Sequence, residues 1–117
     1  MRETVLVIDD HTEFRTSARM LLEADGFEVV GEAATGVEGC LAAERLRPYL
    51  VVLDVRLPDV DGFAVAERLA GLDHPPNVVL VSSRDAVTYG SRLASAPIRG
   101  FVPKGELSGA ALRRLVE

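Results

Sequence analysis

Two runs of four aliphatic residues, Val5-Leu6-Val7-Ile8 and Leu50-Val51-Val52-Leu53, each stop on acid, the first on Asp9-Asp10 and the second on Asp54. With no polar position inside it, such a run suits a strand covered on both faces, as in a parallel sheet. A carboxylate at its end stands at the rim of a rigid sheet, dry on one side and wet on the other. Three carboxylates gathered at one rim repel one another unless a cation or a proton intervenes. A pure scaffold has no need of that arrangement. The single lysine, Lys104, follows another apolar run, whereas arginine is used at twelve other positions.

Strand and helix patterns alternate five times. Val5–Ile8 reads as the first strand, and Thr12–Ala24 as a helix with Phe14, Ala18, Leu21 and Leu22 on one face. Asp25-Gly26 ends it, with Gly26 as a left-handed cap. Phe27–Val30 is a second strand that ends at Gly31. A helix opening at Thr35 or Gly36 carries Val37, Leu41 and Leu46 on its apolar stripe and stops at Pro48. Leu50–Leu53 is the third strand. Turn residues over Pro58-Asp59-Val60-Asp61-Gly62 lead to a short helix, Phe63–Ala70. Val78–Val81 is the fourth strand, and Asp85–Ala94 a helix weakened by Tyr89-Gly90-Ser91. Gly100–Val102 is a short fifth strand and Leu107–Val116 the last helix.

Helix-length connections between strands imply a parallel sheet covered on both faces. The expectation is an α/β, flavodoxin-like (βα)5 three-layer sandwich with strand order 2-1-3-4-5. In that order the winding reverses between strands 1 and 3, and ligands bind at their carboxyl ends. Asp9, Asp10 and Asp54 fall there, Ser82 ends strand 4, and Lys104 follows strand 5.

The 117 residues suit one domain, and 48% hydrophobic with 5% aromatic residues suits an aliphatic interior. A net charge of −5 with scattered arginines argues against direct nucleic-acid binding. One cysteine, Cys40, excludes an internal disulfide and is read as a buried structural thiol. There is no signal-peptide pattern and no run near the ~20 apolar residues of a membrane span, so a cytoplasmic location is expected. Carboxylates, a hydroxyl and a lysine around one crevice suggest a hard cation such as Mg²⁺ beside a phosphoryl group. The lysine would act as a point charge on a phosphate oxygen.

The chain resembles the receiver domain of two-component response regulators. The resemblance rests on Asp9-Asp10, on the stretch from Leu53 to Gly62, on Val81-Ser82-Ser83 and on Phe101-Val102-Pro103-Lys104. It is most similar to receivers of the LuxR/NarL type, through Arg56 two residues after Asp54 and Lys104 without a following proline. The resemblance implies that Asp54 accepts a phosphoryl group from a sensor histidine kinase. It implies Asp10 as direct Mg²⁺ ligand, Asp9 acting largely through water, and the Arg56 backbone carbonyl completing the protein's share of the metal shell. It further implies that Lys104 pairs with the phosphoryl group and that Ser82 donates its hydroxyl to it, with Ser83 supplying a backbone N–H. The resemblance also implies that Ser82 and Phe101 move together as the switch, altering the helix 4–strand 5–helix 5 face, through which a homodimer is expected. Arg56 and Arg84 flank the site and are candidates for setting phosphorylation lifetime. His11 is read as a surface residue.

The resemblance spans residues 1–117, with an effector domain expected beyond them, and output through transcription. Only self-catalysed phosphorylation and dephosphorylation are expected, not turnover of a separate substrate. Pro97 before the last strand and Pro103 before Lys104 depart from the family pattern. An alternative is a degenerate receiver working as a phosphorylation-independent interaction module. A dehalogenase-type phosphohydrolase would need an acid where Arg56 stands. A flavin binder would need a phosphate loop where Asp9-Asp10-His11 stand.

Overall fold

The computed structural model describes residues 2–117. Five strands, β1 (Thr4–Ile8), β2 (Glu28–Ala33), β3 (Leu50–Asp54), β4 (Asn77–Ser82) and β5 (Gly100–Pro103), form one parallel sheet in the order β2-β1-β3-β4-β5. The helices are α1 (Thr12–Ala24), α2 (Gly36–Leu46), α3 (Gly62–Ala70), α4 (Ser91–Ser95) and α5 (Gly109–Val116). This is the doubly wound α/β architecture expected from the alternating pattern.

Alternate residues of each strand feed opposite layers. Leu6, Ile8, Val51, Leu53, Val78 and Leu80 pack with Cys40, Ala43, Phe63, Val65 and Leu69 on the α2–α3 side. Val5, Val7, Leu50, Val52, Val79 and Val81 pack with Ala18 and Leu22 of α1 and Leu112 and Val116 of α5. The β1 and β3 side chains named here are all fully buried, which is why neither run tolerates a polar position. Burying an aliphatic side chain of this kind stabilises the fold by about 1.5–3 kcal/mol. The rim acids are thereby fixed to the most rigid part of the molecule.

Several sequence expectations need correction. The second strand does not stop at Gly31 but runs to Ala33, because the β1–β2 register skips Val30, pairing Val5 with Val29 and Leu6 with Gly31. The bulge lets the chain keep pairing past the glycine. Val37 and Leu41 of α2 are exposed, and the buried face is Gly36, Gly39, Cys40, Ala42 and Ala43. Small residues there let the helix lie close to the sheet. Leu21 of α1 is likewise exposed.

The continuous helix expected over Asp85–Ala94 is a 3-10 turn at Ala86–Thr88 followed by the five-residue α4. Gly90 separates them with φ +55°, a conformation that interrupts a right-handed helix. The last helix begins at Gly109 rather than Leu107, after a 3-10 turn at Lys104–Glu106. Gly26 takes φ +95° after α1, and α2 ends on Arg47 at φ +48° just before Pro48. Cys40 is buried, and that burial pushes its thiol pKa up. Among the described residues, no helix is long and apolar enough to cross a membrane.

Candidate functional site

β1 and β3 are adjacent and pair in register from Val5–Leu50 to Ile8–Leu53, so their carboxyl ends deliver Asp9 and Asp54 side by side. Asp9 is fully buried and Asp54 is 3% exposed, while Asp10 faces solvent. Asp9, Asp10, His11 and Asp54 each offer a ligand atom, and those atoms all lie within 4.8 Å of one another.

Lys104, at the end of β5, reaches across β4 into this cluster. Its Nζ lies 2.6 Å from Asp9 Oδ2 and donates to Asp54 Oδ2 at 3.4 Å. The ammonium also stands 4.6 Å from the centre of the Phe14 ring, which covers it from α1. One cation thus serves two buried acids. The remaining oxygens are held by the backbone: Asp9 Oδ1 accepts from His11 N–H at 2.8 Å, and Asp54 Oδ1 from Arg56 N–H at 3.3 Å. The Arg15 guanidinium donates to the Asp9 carbonyl at 2.6 Å.

Burial pushes the Asp54 pKa above the ordinary carboxylate value, and the neighbouring Asp9 charge adds to the rise. The Lys104 ammonium and the Arg56 N–H act in the opposite direction without cancelling it.

The donor set fits a hard divalent cation. Asp9 Oδ2 is buried and has no hydrogen bond; Lys104 lies at ion-pair distance but off the bonding direction. Asp10 adds a solvent-facing carboxylate, and a hard, oxygen-rich site open to water suits Mg²⁺. His11 is on the surface, yet its Nδ1 is 3.1 Å from Asp9 Oδ1 and 3.2 Å from Asp10 Oδ1.

Ser82 ends β4, next to β3, and is buried, whereas Ser83 and Arg84 are exposed. The Ser82 Oγ accepts from Arg84 N–H at 3.0 Å and shares a 2.6 Å hydrogen bond with the Tyr89 hydroxyl. It makes no hydrogen bond to Asp54. Phe101 is half-buried on β5. Arg56 is exposed and bridges to Asp61 through an isolated strand-like pairing. Gly62, at the start of α3, lies against the Asp54 carbonyl so closely that a Cβ would fall 2.3 Å from that oxygen.

Tyr89, Phe14 and Asp59 escaped the sequence reading as partners of the site and its supports. Tyr89 is the sole aromatic between Ser82 and Phe101, and its proximity to Gly90 and Ser91 made it look only like a helix breaker. Phe14 was legible as a core residue of α1 but not as a cover for Lys104. Asp59 accepts from Gly36 and Val37 N–H at 2.8 and 2.9 Å, holding the loop after β3 on the start of α2.

A doubly wound sheet whose switch point holds an acid cluster, a lysine and a hydroxyl defines a receiver module. The response regulator receiver domain family matches residues 5–116, and the chain belongs to that family. It is 39% identical over 106 residues to the virulence-factor transcription regulator BvgA of Bordetella pertussis, covering 91% of this chain and 51% of BvgA. It is 37% identical over 114 residues to the response regulator GacA of Pseudomonas protegens, covering 97% of this chain and 52% of GacA. The chain thus spans about half the length of these relatives. The signal receiver domain of the response regulator NarL from Mycobacterium tuberculosis superposes with a TM-score of 0.86 at 28% identity, covering 98% of this chain and 97% of that one.

Proposed function

We propose that Asp54 is the phosphoacceptor of a Mg²⁺-dependent signalling switch served by a sensor histidine kinase. The observation that supports this best is the Lys104 ammonium shared by two buried acids, Asp9 and Asp54, at an open rim. An Asp54 carboxylate oxygen attacks the phosphorus of a phosphohistidine as the P–N bond breaks, and an acyl phosphate forms. Asp10, Asp9, Asp54 and the Arg56 carbonyl would hold the metal. Bound there, Mg²⁺ would offset charge on the phosphoryl oxygens. Lys104 then turns from its carboxylates to a phosphoryl oxygen, and Ser82 donates its hydroxyl to another, with the Ser83 N–H beside it. Arg56 and Arg84, both exposed beside the rim, restrict the attacking water and so set the lifetime of the acyl phosphate.

Activation changes the surface built from α4, β5 and α5, where Phe101 lies, and a homodimer would use that face. Output would run through a further domain, as transcription in the case of relatives such as BvgA, and the protein would act in the cytoplasm. This chain itself catalyses only its own phosphorylation and dephosphorylation.

The test is incubation with Mg²⁺ and a small phosphodonor, followed by intact mass. An adduct of ~80 Da is expected of an aspartyl nucleophile, absent from Asp54→Asn and from a metal-free control. No adduct from donor or kinase would leave the phosphorylation-independent interaction module as the better reading.

A further inference from the structure

Tyr89 is not one of the acids, the lysine or the hydroxyl on which a receiver site is built, yet it touches the proposed switch at both ends. Its hydroxyl lies 2.6 Å from Ser82 Oγ. Its ring stands between Phe63 of α3, at 5.9 Å, and Phe101 of β5, at 5.8 Å, both tilted. Those spacings and tilts are those of favourable aromatic pairs. Phe63 is in turn capped by the Arg92 guanidinium at 4.1 Å, and Arg92 is tied to Asp61 at 2.9 Å. The ring is therefore clamped from two sides, while the backbone that carries it is held by two long hydrogen bonds, Tyr89 N–H to the Ala86 carbonyl and Arg92 N–H to the Tyr89 carbonyl, both at 3.2 Å. The 3-10 turn at Ala86–Thr88 has no buried residue, and Gly90 at φ +55° separates it from α4. A clamped ring on a lightly anchored backbone is a movable part with one preferred seat.

We propose that Tyr89 is a positioning residue that latches Ser82 in the unphosphorylated form, a reading that rests on Asp54 as phosphoacceptor. A serine hydroxyl has one hydrogen to donate and two lone pairs. Here the oxygen already accepts from Arg84 N–H and bonds Tyr89, and nothing links it to Asp54. The latch assigns the shared hydrogen to Ser82, so donating it to a phosphoryl oxygen on Asp54 requires breaking the bond to the Tyr89 hydroxyl. Tyr89 then loses its polar anchor and can leave its seat between Phe63 and Phe101, opening the space into which Phe101 moves. The same release frees the Ala86–Gly90 segment, where Val87 is 86% exposed. Phosphorylation would thus be transmitted through one hydroxyl to a stretch of surface.

Tyr89→Phe tests the latch, because it keeps the ring and removes only the hydroxyl. Beryllofluoride with Mg²⁺, a mimic of the phosphoryl group, is titrated into the 117-residue chain and its Y89F, S82A, Y89F/S82A and D54N variants. Binding is read by fluorine NMR. Y89F should bind the mimic about fivefold tighter, the loss of one competing hydrogen bond. The gain should vanish in the S82A background. Unchanged or weaker binding by Y89F, or the same gain without Ser82, overturns the latch. Binding by the unmodified chain that is absent, or that survives in D54N, overturns the acceptor reading and the latch with it. A second measurement leaves Tyr89 intact. In Y49F, Tyr89 is the sole tyrosine of a chain without tryptophan. Adding the mimic should make its emission more accessible to acrylamide, and unchanged quenching overturns the latch.

Discussion

Asp54 is held in a place that suits its charge badly. It is nearly buried beside Asp9, and its pKa is raised, so the folded protein binds a proton there more tightly than the unfolded chain does. Such a group favours folding below the ordinary carboxylate value and withdraws that contribution as pH rises through the raised folded value. Ionisation of Asp54 therefore strains the fold. Asp54→Asn should raise Tm at pH 7, and the gain should shrink on acidification as Asp54 takes up its proton. Thermal melts across pH 4–8 check this, and an Asn variant no more stable at pH 7 would contradict it. Lys104 is the reverse case, since it serves two acids at once. Removing one partner of a buried ion pair strands the other, at about 3–5 kcal/mol. Lys104→Ala should lose about 3 kcal/mol at pH 7 by denaturant titration, on the low side because Lys104 is not fully buried. Exposed Arg56 and Arg84 belong to a different category. Replacing either by a small residue should leave the unfolding free energy within about 0.5 kcal/mol of the parent and change the decay rate of the Asp54 acyl phosphate. An unchanged decay rate counts against their part in the site.

Among the elements, α2 shows how the site's surroundings are fastened. Thr35 caps it locally, accepting from Glu38 N–H at 3.1 Å, while Asp59 arrives from the loop after β3 to take the Gly36 and Val37 N–H groups. Those donors hold the Asp59 pKa below its ordinary value of 3.8. A lowered folded value means stabilisation present above the unfolded pKa and lost as pH falls through the folded one. Asp59→Ala should therefore lower Tm at pH 7, with the difference beginning to shrink only below about pH 4. A pH-independent difference would show that the loop's packing, not its charge, is what matters. The Thr35 cap could be suspected from its place before Gly36. The Asp59 cap could not, because partners 23 positions apart in the chain are brought together only by the finished fold. The same distinction runs through the chain. The central strands were legible because burial on both faces forbids polar residues in them, and the acids at their ends followed from the strands. The fourth helix was misread because no residue of its 3-10 turn or of α4 is buried. With no buried face there was no period to detect, and Gly90 decided the local shape. Tyr89 was missed for that reason too: its partners lie on β4, α3 and β5, and no spacing along the chain connects them. Gly62 sits at an equally close junction, and Gly62→Ala should push the Asp54 backbone out of place, lowering Tm and phosphorylation together.

At the scale of the molecule, the acid cluster sits on β1 and β3, two of the three strands with neighbours on both sides, each a fully buried aliphatic run. A domain of this size with one sheet and two continuous cores unfolds as a unit. Anything bound at the β1–β3 rim is lost only when the whole sheet is lost, so binding there should register as global stability. The repulsion among Asp9, Asp10 and Asp54, relieved in the metal-free chain by one ammonium, gives a cation a large incentive to bind. At a hundredfold excess over its Kd, a ligand specific to the native state adds about 2.7 kcal/mol. For a domain of this length that is a rise in Tm on the order of 10 °C. Mg²⁺ should produce such a rise near pH 7, and Asp10→Asn, which removes a solvent-facing donor while leaving the buried ion pairs intact, should abolish most of it. Proton and metal compete for Asp54, whose pKa is raised, so the Mg²⁺ effect should fade on acidification sooner than an ordinary carboxylate would dictate. Calorimetric scans with and without Mg²⁺, repeated between pH 5 and 8, separate the outcomes. A Tm indifferent to Mg²⁺ across that range would mean that Lys104 alone satisfies the cluster, and the metal-dependent reading of this rim would fall.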